Sequence, residues 1–129
     1  MLKMIADHME KGFLDNIVAM FRQDSSMYPM IAELLEDERS RVRIGTIALV
    51  ETLIEEESNR IYAVIPAIAR VLQNSNPTIR GDAAYLLGII GHKDALTFLA
   101  DVSNDKHELV RQTVQEAIEE INGAEDSSG

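Results

Sequence analysis

A chain of 129 residues with 22 acidic and 12 basic side chains carries a net charge of −10, and it has neither Cys nor Trp. That length suits one domain. The missing thiols exclude disulfides, thiolate catalysis and Cys-based zinc sites, and they fit a cytoplasmic protein in a reducing compartment. The negative charge sets the chain against phosphate backbones and anionic lipid surfaces. Hydrophobic residues make up 46% of the chain but aromatics only 5%, a composition suited to close helix-on-helix packing. No run reaches the roughly 20 apolar residues that span a bilayer. Early charges at Lys3 and Asp7 break any signal-peptide core.

The first elements are the least regular. Leu2, Ile5 and Met9 step at helical spacing, and Phe13, Leu14, Ile17, Val18 and Phe21 do so again before Asp24-Ser25-Ser26. They predict a helical cap over residues 1–25. Helix 12–23 lacks the basic polar face of an interfacial helix, so covering the end of a helical stack is its expected role.

Beyond the cap the sequence repeats. Val42-Arg43, Ile79-Arg80 and Val110-Arg111 align, with arginines 37 and 31 residues apart. Six positions before them stand Asp37, Asn74 and Asp105; fourteen before stand Pro29, Pro66 and Thr97. Apolar columns agree on both sides, among them Ile31, Ile68 and Leu99, then Ala32, Ala69 and Ala100, then Leu49, Leu86 and Ala117. The polar stretch Glu55–Arg60 accounts for the longer spacing. Apolar steps of three and four predict helices over 28–36, 41–56, 60–73, 78–90, 94–103 and 107–121. They pair into repeats 28–56, 60–90 and 94–121, which together with the cap give one domain over 1–121. Asn76-Pro77 is a start signal, Asp105 to Glu108 has the form of a capping box, and Gly91 and Gly123 are stop signals. Pro66 must kink its helix or mark its true start. The polar segment 122–129 reads as a disordered tail.

These residues resemble the HEAT-repeat family in its short form. The likeness is greatest over Tyr85–Leu96, similar to the family's "A-L-G-x-I-G-d-x-x-A" bridge, and from Asp105 to Val110-Arg111, similar to its "D-x-x-x-x-V-R" step. The resemblance covers about Tyr28 to Ile121. It implies a right-handed α-solenoid of antiparallel helix pairs, with about three repeats plus the N-terminal cap. On activity it is nearly silent, because the scaffold hosts many functions.

Arg43, Arg80 and Arg111 could form an anion-binding stripe, but the matching column of Asp37, Asn74 and Asp105 favours a structural ladder of paired groups. His8, His92 and His107 lack the H-x-x-x-H spacing of metal ligands. His107-Glu108 superficially resembles the His-Glu pairs of deoxyhypusine hydroxylase, an iron enzyme built on HEAT repeats. There the pair follows the arginine column; here those places hold Ile44-Gly45, Gly81-Asp82 and Gln112-Thr113. No metal or cofactor is expected, and no G-x-S-x-G elbow or phosphate loop occurs.

What is left is surface. The second helices of such pairs line an inner, concave side, and residues between their apolar columns face outward. Ile44, Ile47, Ala48, Glu51 and Glu55 are candidates on the first, Asp82 and Tyr85 on the second with Gly81, Ala84 and Gly88, and Gln112 and Glu116 on the third with Gln115 and Glu119. Ile47 and Ala84 fit packing between neighbouring repeats equally well. An exposed Tyr with Ile neighbours and an acidic rim suits a protein partner bearing a basic segment. A non-enzymatic scaffold is therefore expected, and pairing of the chain with itself stays open. Two other readings come with the resemblance. One is a subunit like the HEAT-type phycobilin lyases, or a chromophore chaperone, which would need aromatic and basic contacts for a tetrapyrrole. The other is nucleic-acid binding, which the charge opposes.

Overall fold

The computed structural model describes the backbone of residues 1–128 and the side chains of residues 1–124. All its regular elements there are helical. It divides into two compact units, Met1–Val64 and Ile65–Gly129, each with its own core.

In the first unit α1 (Leu2–Glu10) and α2 (Leu14–Gln23) form the cap, joined through a turn in which Gly12 takes a φ of 89°. A 3-10 turn, Ser25–Met27, is started by the Asp24 carboxylate, which accepts from the Ser26 N–H and hydroxyl. Then α3 (Met30–Leu35) pairs with α4 (Ser40–Ala63). The stripe predicted for α4 is buried: Val42, Leu49, Val50 and Leu53 meet no solvent. Thr46 is equally buried because its hydroxyl donates to the Val42 carbonyl at 2.7 Å. Cap helix α1 lies so close to α4 that a Cβ on Gly45 would collide with the Met9 side chain. Arg39 fastens the same junction, donating to Asp7, Glu10 and Asp37.

The helix expected over 60–73 is not one helix. α4 breaks at Glu57 (φ −137°, ψ 53°), inside the polar insertion, and then makes a last turn to Ala63. α5 (Ile65–Arg70) starts afresh with Pro66 in its first turn. The reason is steric: the Pro66 ring would collide with the carbonyl four residues back and has no N–H to give it. Pro29 takes the matching place immediately before α3. Both prolines mark helix starts.

In the second unit a 3-10 turn, Val71–Gln73, extends α5 and leads into α6 (Pro77–Ile90). Asn76 caps α6 by accepting from the Thr78 N–H at 2.9 Å, and Gly91 closes it in the left-handed region. Another 3-10 turn, Lys93–Ala95, precedes α7 (Leu96–Asp101), which pairs with α8 (Glu108–Ser128). The main contact of this unit is α6 on α8. At its centre Gly88 sits under Ala117, where a Cβ would be 3.1 Å from the Ala117 backbone.

Three details differ from the expectation. Ala100 is exposed, so that column is not buried throughout. The capping box does not form, because the Asp105 carboxylate accepts from the His107 N–H while its own N–H donates to the Val102 carbonyl. Gly123 does not stop α8, which runs to Ser128; with no positive φ it is a helical residue like its neighbours. Of the segment 122–129 expected to be a disordered tail, Gly129 lies outside the described residues.

Gly45→Leu is expected to expel Met9 and undock α1, at a cost of about 1–3 kcal/mol as for other overpacked contacts. Hydrogen exchange should show protection lost first at residues 5–9, with α6 and α8 unaffected.

Candidate functional site

Arg43 in the first unit and Arg80 and Arg111 in the second share one bond that the spacing alone does not reveal. Arg43 Nη1 donates to the Asp37 carbonyl at 2.9 Å, Arg80 Nη1 to the Asn74 carbonyl at 2.9 Å, and Arg111 Nη1 to the Asp105 carbonyl at 2.8 Å. Each guanidinium thus holds the loop of its own helix pair by the main chain. The side chains of the Asp/Asn column serve another purpose. Asp37, Asn74 and Asp105 each accept from the N–H two residues on, at 2.9 Å, making the same turn three times. Asp37 also receives Arg39, whose guanidinium holds the Asp37 carboxyl below its ordinary value.

Arg80 does more. Its Nε and Nη2 form a bidentate pair with the Asp105 carboxylate of the following helix pair, at 2.8 and 3.0 Å. Both side chains are 8% exposed. The Arg80 guanidinium, opposed by burial, pulls the Asp105 carboxyl below its ordinary 3.8. The ladder is satisfied internally at Arg80, whose donors are directed at carbonyls and a carboxylate rather than at solvent.

The second-helix surface is described unit by unit. On α4, Ile44 is 65% exposed, Glu51 and Glu55 are exposed, and Ile47 and Ala48 are half-buried. In the second unit, α6 and α8 flank a shallow trough with Tyr85, 55% exposed, standing in it. On one side of the Tyr85 ring a hollow of about 260 Å³ is lined by Gly88, Ile89, Thr113, Glu116, Ala117 and Glu120. On the other, a hollow of about 320 Å³ is lined by Gly81, Asp82, His107, Leu109 and Thr113 with the start of α6. Neither is lined by a Lys or Arg. Gln112 is exposed on α8 but lines neither hollow.

Sequence reasoning placed Gly88 outward and left Ala84 between an outward place and packing between repeats; the structure buries both, Gly88 under Ala117 of α8. It missed Leu109, 66% exposed beside the buried Val110, and Glu120. An apolar residue one step out of phase with its column was the available signal for Leu109. Among the described residues no three His, Asp or Glu side chains converge as metal ligands would, and no helix is long and apolar enough to cross a membrane.

Helical pairs locked by a recurring arginine, with α6 and α8 packed side by side, define an all-α solenoid repeat. A family model described as HEAT repeats matches residues 28–119, and the chain belongs to that family. HEAT repeats commonly mediate protein–protein interaction. No curated protein and no solved structure matches the chain.

Asp105→Asn removes the charge that Arg80 faces and should cost about 2 kcal/mol at neutral pH, the scale of a hydrogen bond to a charged group. Because the folded Asp105 pKa lies below its unfolded value, its contribution is full above about pH 4 and is lost as pH falls through the depressed value. Acid titration followed by circular dichroism should therefore give the Asn variant a flatter stability loss below pH 4 than the parent.

Proposed function

We propose that this protein is a non-enzymatic, cytoplasmic scaffold that binds another protein through the face of its second helices. The observation that carries this reading is Tyr85, an aromatic side chain more than half exposed in a trough with hollows on both sides. A folded chain gains nothing from holding a ring in water, whereas interfaces concentrate their affinity in such aromatic anchors. The acidic groups beside it, Asp82, Glu116 and Glu120, favour a partner with basic residues. On the first unit, Ile44, Ile47 and Ala48 with Glu51 and Glu55 offer the same chemistry, apolar contacts edged by carboxylates, and we assign them to partner binding too. A tetrapyrrole's propionates would find no lysine or arginine lining the trough.

Tyr85→Ala and Ile44→Asp, made separately and together, test this. Each should weaken capture of the partner from native extract at least tenfold, the loss typical of an interface anchor, with far-UV helicity unchanged. Undiminished capture by the double variant would refute the assignment of this face.

A further inference from the structure

Gly81 is a glycine of the trough that the chain's own packing does not explain. It lies inside α6, where glycine weakens a helix relative to alanine. Gly12 and Gly91 are required by a positive φ, Gly45 by Met9, and Gly88 by Ala117. Gly81 has a helical φ, and a Cβ built on it meets nothing within 4 Å. Gly123 is equally open, but it lies in the last turns of α8 and lines neither hollow. A bare backbone patch beside an exposed Tyr is a place where something from outside can come close.

We infer that the trough receives an α-helix of a partner protein, with a small residue where it crosses Gly81 and Lys or Arg side chains turned toward Glu116 and Glu120. This rests on the reading of the second-helix face as a protein-binding surface. Charge complementarity selects the basic side chains. The charged groups lining both hollows are carboxylates, with His107, and among the described residues Glu116 and Glu120 have no ion pair. They stand four residues apart on one helix face, where like charges repel, and a cation between them relieves that. The helical form of the partner follows from what α6 and α8 can offer. Their backbone groups are bonded internally, so an extended segment would find no edge to pair with, while a helix satisfies its own. Gly81, Tyr85 and Gly88 lie on one stripe, and at Gly88 the same helix already receives a helix through a small residue, Ala117. From Pro77 to Ile89 the trough runs about 18 Å, the length of about twelve helical residues.

The test selects binders to the intact protein from two displayed 14-residue peptide libraries. One has a helix-forming framework, and the other is held extended by alternate prolines. Binders should come from the helical library, enriched in Lys or Arg and in one small residue. Gly81→Ala should raise the melting temperature by about 4 °C yet weaken those peptides at least tenfold. Glu116→Gln with Glu120→Gln should weaken them at least fivefold at low salt. Binders from the extended library alone, no binders from either, unchanged affinity for Gly81→Ala, or a lowered melting temperature in that variant would each overturn the inference. Tyr85→Ala separates the levels. Loss of binding there without loss at Gly81 refutes only the helix crossing, whereas no loss at either position refutes the surface as well.

Discussion

The bond from an arginine in each second helix to the main-chain carbonyl six residues earlier is the constraint on which the rest depends. The first helices α3, α5 and α7 have six residues each, far below the length at which a helix persists alone in water. Their last carbonyls lack partners within the helix. A guanidinium from the following helix supplies the loop with a charged donor at 2.8–2.9 Å, and the Asp or Asn of the same loop folds it by accepting the N–H two residues on. At position 80 the bond needs an arginine. A lysine could reach one carbonyl, but Arg80 holds two carbonyls and a carboxylate at once through its planar fork.

Much of this was legible because it repeats. The columns Val42, Ile79, Val110 and Leu49, Leu86, Ala117 are buried as their period implies, and the caps at Asn76 and Gly91 act through local chemistry that needs no tertiary context. Pro66 and Glu57 were legible by other means than periodicity. A helical period continues through 60–73, and of the two roles that proline geometry allowed Pro66, the structure takes the helix start, while the break at Glu57 falls in the polar stretch between the expected helices. The arginines and their acceptor residues could both be aligned from sequence, but not the acceptor atom, because a residue column does not say whether the carboxylate or the main-chain carbonyl takes the bond.

The candidate surface was read less well, for a related reason. Positions beside the apolar columns comprise both those that meet the neighbouring helix and those that meet solvent, and these differ by one step of about 100° on the helix. Ala84 and Gly88 fell on the packed side, while Tyr85 between them fell on the open side. Size was the discriminating signal. Position 88 is small because α8 comes close at Ala117, and a Tyr could not be accommodated there.

Three departures from local rules therefore meet in one stretch of α6 and α8. Glycine at position 81 gives up about 1 kcal/mol of helix propensity without relieving any clash. Glu116 and Glu120 repel each other by a few tenths of a kcal/mol across one turn. Tyr85 leaves apolar surface in water that burial would reward by about 25 cal/mol per Å². Gly45 and Gly88 show that elsewhere in the chain a helical glycine answers to a neighbour in contact. Sequences that specify one fold are consistent at every level except where function demands otherwise. A bare backbone, an unneutralised pair of carboxylates and an uncovered ring are unrelated costs for an isolated domain, but a single basic helix laid in the trough would relieve all three.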